Sequence, residues 1–137
     1  MRIVLDTNVS VSALIHPAGI PARAFDLVVA RQVAVALDHR IFAEYHAVLL
    51  RPEFSLPRDR VTAVLDFLWR CGEVVQAEPL SLRLPDPDDA MFVEVALTAC
   101  ADALVTGNAR HFSFAQRHDV RVLTPRAFLD FWANRQV

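Results

Sequence analysis

The chain contains no lysine; all fourteen of its cationic side chains are arginines. It also lacks an overall basic field, because the formal net charge is −2. Nucleic acid would therefore have to be held by a local patch rather than by general attraction. Arginine suits such a patch, since its planar guanidinium grips phosphate bidentately and stacks on bases. A GC-rich genome would favour Arg codons over Lys codons with no functional cause at all. Glycine is scarce, at three residues, in a chain of 137 that is 54% hydrophobic and 22% charged. That composition excludes extensive disorder and fits one domain, residues 1–137.

No P-loop, G-x-G-x-x-G or G-x-S-x-G occurs, so nucleotide-driven and serine-hydrolase chemistry have no motif to stand on. No apolar run approaches the roughly 20 residues that a membrane span needs. The opening residues read as a strand rather than a signal peptide, and the expectation is a soluble cytoplasmic protein with no membrane partner. The two cysteines, Cys71 and Cys100, have no C-x-x-C spacing and no partner His. Each sits in an apolar helical pattern, so both are expected to be buried free thiols in a reducing compartment.

What is present is an alternation of short apolar runs and amphipathic segments. Residues 2–5 read as a buried strand ending at Asp6, and 9–15 as a short helix stopped by His16-Pro17-Ala18-Gly19. Pro21 is expected as the first residue of a second helix with Ala24, Phe25, Val28 and Val29 on one face. A second strand is predicted over 32–37, ending at Asp38, which is positioned to cap a helix carrying Ile41, Phe42, Tyr45, Val48 and Leu49. Arg51-Pro52-Glu53-Phe54 breaks that helix, and Pro57 starts another with Val61, Val64, Leu65, Leu68 and Trp69.

A third strand is predicted over 73–76, a surface stretch over 77–87, and a well-buried helix over 90–100. Strands over 103–106 and 120–123 follow, and Pro125 opens a last helix with Phe128, Leu129 and Trp132. Strands alternating with helices imply an α/β fold. The expected architecture is a three-layer α/β/α sandwich with a central parallel sheet of about five strands.

Acids and amides gather where this map places strand ends and helix starts. Asp6 follows the first strand, Glu44 lies on the third helix, Asp86, Asp88 and Asp89 precede the buried helix, and Asn108 follows the fourth strand. Ligands bind beyond the carboxyl ends of parallel strands, at the point where strand order reverses. One pocket could thus collect three carboxylates and an amide. Converging carboxylates repel unless a cation neutralises them, and hard oxygen ligands select Mg²⁺ or Mn²⁺. Such an ion can serve phosphodiester cleavage.

Each acid also has a plain structural reading. Asp6 by itself is as good a helix cap as a ligand, and Asp38 is read as a cap. Asp86 and Asp88 flank a proline and suit an Asx-type turn. Glu94 is expected to be exposed on its helix, and Asp102 to close a turn. Glu44 borders an apolar face, where an acid is uncommon without a partner.

Taken together, Leu5-Asp6-Thr7-Asn8-Val9, the helix 41–50 with Arg51-Pro52-Glu53-Phe54, Asp86-Pro87-Asp88-Asp89 before Val93-Glu94-Val95-Ala96, and Leu104-Val105-Thr106-Gly107-Asn108 resemble a PIN domain. That family comprises metal-dependent ribonucleases and includes the VapC-type toxins of toxin–antitoxin pairs. The resemblance spans nearly the whole chain, and the order and spacing of the four motifs carry it.

The resemblance implies that Asp6, Glu44 and Asp89 hold Mg²⁺ or Mn²⁺. Asp89 is preferred over Asp88 for its spacing to Ala96. Thr106 would hydrogen-bond one of the carboxylates, with Asn8 and Asp88 supporting the site. Asn108 stands where many relatives have Asp; it would orient a water or a second metal, contributing no charge. His111 is read as a partly exposed turn residue. Arg51 and Arg110 are the candidates for RNA phosphate contacts.

The function implied is an endoribonuclease that hydrolyses RNA phosphodiester bonds, acting as a toxin restrained by a cognate antitoxin and assembled as a homodimer. A different class of function is a catalytically weakened PIN fold serving as an RNA- or partner-binding module, with Asn108 as its mark. A DNA-directed flap-type nuclease shares the acidic-site logic, but the compact chain lacks room for the DNA-gripping segments such enzymes carry.

Overall fold

The strands are short, and apart from the exposed Arg2 that opens β1 the three central ones are apolar. β1 (Arg2–Leu5), β2 (Ala34–Leu37) and β4 (Ala103–Val105) bury Ile3, Val4, Leu5, Val35, Ala36, Leu37, Leu104 and Val105 to 1% exposure or less. Strands closed off on both faces need apolar side chains in both directions, so they read as continuous hydrophobic runs. With β3 (Glu73–Val74) and β5 (Val122–Leu123) they form one parallel sheet in the order β3-β2-β1-β4-β5. The register pairs Ile3 with Val35 on one side and with Ala103 on the other. The chain therefore leaves β1 in both directions, and strand order reverses there. The computed structural model describes residues 1–80, 87–116 and 118–136.

Helices α1 (Thr7–Ile15), α2 (Ile20–Val29), α3 (His39–Leu49), α4 (Arg58–Cys71), α5 (Ala90–Thr98), α6 (Ser113–Gln116) and α7 (Pro125–Arg135) complete an α/β/α sandwich. α5 packs against β1, β2 and β4, and α7 against β4 and β5. Asp38 caps α3 as expected, its Oδ1 accepting the Ile41 amide at 3.0 Å. The face of α3 turned inward carries Ile41, Tyr45 and Leu49, all fully buried. Among the described residues no helix is long and apolar enough to cross a membrane.

Several expectations are corrected. β2 starts at Ala34, β3 stops at Val74 and β5 starts at Val122, because each ladder is only as long as its partner. Val29 is 53% exposed, since it is the last residue of α2 and points away from the buried Ala24, Phe25 and Val28. The cysteines are not both buried: Cys71 is half-buried and Cys100 is exposed. α5 ends before Cys100, which adopts a left-handed φ of 50° while the Ala101 amide closes back on the Ala96 carbonyl at 2.9 Å. Asp86 lies outside the described residues, as does part of the expected 77–87 stretch.

The largest correction concerns Glu94. It is 3% exposed, inside an otherwise apolar helix, and its Oε1 accepts the Arg40 guanidinium at 2.7 Å. A helix apolar on all sides is a core helix, so an acid on it has no solvent face to use. It must find a partner or not ionise.

Gly72 shows how tightly the helix layer sits on the sheet. A Cβ there would come within 2.4 Å of the Leu68 carbonyl oxygen and 2.8 Å of that of Val35. Both are backbone atoms that cannot swing aside. Gly72→Ala is expected to cost about 1–3 kcal/mol, the usual range for overpacking. Urea unfolding checks this, and an unchanged midpoint would show that α4 has room to lift from β2.

Candidate active site

The carboxyl ends of β1 and β4 lie side by side, and the first polar residues after them meet. The Asp6 amide donates to the Val105 carbonyl at 2.9 Å, and Leu5 pairs with Val105. One step further, the Thr106 hydroxyl donates to Asp6 Oδ2 at 2.7 Å. The same hydroxyl oxygen accepts the Asn108 amide at 3.0 Å. Thr106 thus fixes one oxygen of Asp6 and the start of the loop after β4 together. Asn8 completes this corner, its Oδ1 accepting the Gly107 amide at 3.3 Å.

Asp6 occupies the residue before α1, yet its side chain closes no capping hydrogen bond. Asp6 as a whole is 8% exposed. Burial raises its pKa above the usual Asp value, and this outweighs the Thr106 hydroxyl, the Thr7 and Asn8 amides and the His111 charge, which all pull downward. A desolvated carboxylate held mainly by neutral donors is a group that a cation would relieve.

Glu44 reaches the same place from α3. Its Oε2 accepts the Thr7 hydroxyl, so the residue next to Asp6 orients the second acid. Beneath them, the buried Tyr45 hydroxyl donates to the Leu5 carbonyl at 2.5 Å. Burial, together with the charges of Asp6, Glu44 and Asp38, pushes the Tyr45 pKa well above the ordinary value. The phenol stays neutral and pins α3 to the end of β1.

Asp6, Asn8, Glu44 and Asp89 line one open cleft of about 460 Å³, with Thr7, Val11, Ser12, Val48, Arg51 and Phe54 completing its walls. Asp88 instead lines a neighbouring groove with Arg40, Glu44 and Glu94. The other candidates fall outside the cleft walls. Asn108 is exposed and meets the site through its backbone. Arg110 and His111 are exposed on the 3-10 turn Ala109–Phe112, although the His111 charge is felt at Asp6. Thr7 and Tyr45 are the supports that motif reading passed over. The signal for Thr7 was its place beside Asp6; for Tyr45 it was a hydroxyl on a fully apolar stripe.

The donor set suits a hard divalent cation, since it consists of carboxylate, hydroxyl and amide oxygens. Among the described residues no three acidic, His or Cys side chains are grouped closely enough to hold one ion by themselves. Mg²⁺ commonly takes one or two carboxylates and keeps several waters, so an open cleft with Asp6 buried at its base remains compatible with it.

The pattern of the PIN domain family matches residues 2–110. An uncharacterized protein of Methanocaldococcus jannaschii is 25% identical over 141 residues, covering 95% of this chain and 90% of that protein. Two solved structures share the fold. VapBC2 from Rickettsia felis, bound to a DNA fragment from its promoter, has 17% identity and a TM-score of 0.57, covering 90% of this chain and 98% of that one. FitAB bound to an IR36 DNA fragment has 19% identity and a TM-score of 0.62, covering 90% and 94%.

The raised pKa of Asp6 has a thermodynamic consequence. The native state holds this proton more tightly than the unfolded chain. Ionisation therefore costs folding stability as pH climbs above the ordinary Asp value and through the folded-state value, and the full penalty persists above it. Asp6→Asn removes that penalty. In metal-free protein the variant should melt above wild type at neutral pH, and the gap should narrow below about pH 4, the ordinary Asp range. Thermal unfolding at both pH values checks this; a gap that does not vary with pH would contradict it.

Proposed function

The chain belongs to the PIN-domain family, and from that premise we propose that it is a metal-dependent endoribonuclease, the toxin of a toxin–antitoxin pair. The observation that supports the reading most is the shared cleft: three carboxylates from three separate elements, Asp6, Glu44 and Asp89, face one opening. Structural acids are usually dispersed or paired with cations, whereas here a buried one lies at the base of a concave site.

In this reading Asp6, Glu44 and Asp89 would hold Mg²⁺ or Mn²⁺, which would supply Lewis-acid charge neutralisation for phosphodiester hydrolysis. The chain's own groups do the positioning. Thr106 keeps Asp6 Oδ2 in place, and Thr7 does the same for Glu44. Arg51, on the wall of the cleft, contacts an RNA phosphate. Arg110 and Asn108 are both exposed on the loop after β4; in this reading Arg110 would contact a second phosphate and Asn108 would orient a water. Val11, Val48 and Phe54 give the cleft an apolar wall that sets the strand's path.

The fold-level similarity to VapBC2 and FitAB favours a VapC-like toxin with a cognate antitoxin; a homodimer is the assembly proposed with it. Expression without the antitoxin should arrest growth, and Asp6→Ala or co-expression of the adjacent gene should relieve the arrest. Normal growth on expression would turn the reading toward a housekeeping nuclease.

One observation favours a second reading, a weakened PIN fold that binds RNA or a partner without cutting. Asn108 brings no fourth carboxylate and its side chain does not line the cleft. Cleavage assays decide between the two. With Mn²⁺, wild type should cleave single-stranded RNA, and Asp6→Asn should lose about 100-fold or more, the equivalent of the several kcal/mol that a positioned metal contributes. No Mn²⁺ binding by calorimetry near neutral pH, together with equal cleavage by both proteins, would establish the binding module instead.

A further inference from the structure

Behind the cleft lies a second set of charges that the proposed chemistry does not use. Arg40, on the first turn of α3, donates from Nε to Asp38 Oδ2 at 2.8 Å and from Nη1 to Glu94 Oε1 at 2.7 Å. Its Nη2 also lies 2.8 Å from Asp38 Oδ2. Asp38 follows β2 and caps α3, while Glu94 sits in the middle of α5. Both carboxylates are buried, at 7% and 3% side-chain exposure, whereas the arginine retains 41%. The second oxygen of Glu94 accepts the Leu80 amide, so both of its oxygens are engaged.

We infer that Arg40 is a positioning residue for the acidic cleft: by bridging Asp38 and Glu94, it sets the spacing between the helices that carry Glu44 and Asp89. The inference rests on reading the cleft as a metal site. Glu44 is one turn along α3 from Arg40, and Asp89 precedes the first turn of α5, five residues before Glu94. Arg40, Glu44, Asp88 and Glu94 line one groove, and Glu44 also lines the cleft with Asp6 and Asp89. Glu44 therefore stands between the clamp and the site.

The physical need is clear. Two carboxylates that must share an ion repel each other when it is absent, and the repulsion acts to part α3 from α5. An arginine fork joining the two helices behind the acids opposes that parting, and its planar geometry fixes a distance where a lysine would fix only a charge. Metal ligands tolerate misplacement of only about 0.5 Å. Arg40 itself is a poor RNA contact. Its guanidinium is committed to two carboxylates, and the three groups together carry net negative charge.

The test compares wild type with Arg40→Lys and with the double variant Arg40→Gln/Glu94→Gln, which leaves neither partner of the Arg40–Glu94 pair charged. Three quantities are read: Mn²⁺ affinity by calorimetry, amide hydrogen exchange over 88–92 in metal-free protein, and kcat and KM on single-stranded RNA. The double variant should keep its circular dichroism spectrum yet bind Mn²⁺ about 10–100-fold more weakly, the usual loss when a ligand's support is removed. Exchange at the start of α5 should speed up, kcat should fall more than KM changes, and Arg40→Lys should recover only part of the affinity.

Unchanged Mn²⁺ affinity with unchanged exchange would overturn the inference and leave the pair as a purely structural contact. Should wild type bind no Mn²⁺, the metal reading of the cleft fails by itself. Exchange then judges the clamp: faster exchange in the double variant upholds its hold on α5, and unchanged exchange overturns it.

Discussion

The hydrogen bond from Thr106 to Asp6 joins residues 100 apart in sequence, and the site depends on it. It forms because β1 and β4 are parallel neighbours in register, so that the first polar residue after each strand arrives at the same level. Parallel pairing needs a long crossover between partners, and here the crossover contains most of the molecule. The helices that carry Glu44 and Asp89 are part of that crossover. Pairing the two strands therefore delivers the other acids to the same end of the sheet.

Burial then makes the convergence chemically consequential. Asp6 is desolvated and its main partner is a neutral hydroxyl, so its charge is incompletely compensated and its pKa rises. Glu94 is just as buried but is met by a guanidinium. The two environments separate an acid whose charge no cationic side chain directly pairs from an acid paired with a guanidinium across two helices. An exposed pair such as Arg70–Asp66, at 3.3 Å on the surface of α4, belongs to neither class; solvent screens it to about 0–1 kcal/mol.

Legibility in the sequence followed the same division. Strands and helices were readable because apolar periodicity reflects burial directly, and the Asp38 cap was readable because capping is local. Local sequence places Glu94 on an exposed face, because the partner that lets it be buried lies 54 residues away on another helix. The apolar pattern carries the helix through Cys100, whereas its end is set by the turn into β4, which no local propensity reports. The roles of Thr7 and Tyr45 were hidden in the same way: each contributes one hydrogen bond to an element distant in sequence, Thr7 to Glu44 and Tyr45 to Leu5.

An α/β chain of alternating short strands and helices, with acids at strand ends and helix starts and a family resemblance carried by their order, is written in the order of the residues alone. Those properties follow from local chemistry and periodicity. Which acids share a cleft is a matter of packing: Asp89 lines it with Asp6 while Asp88 lines the adjoining groove, and Arg40 links Asp38 to Glu94 behind it. The reason is that burial and charge pairing are set by which elements become neighbours, and in a parallel sheet those neighbours are far apart along the chain.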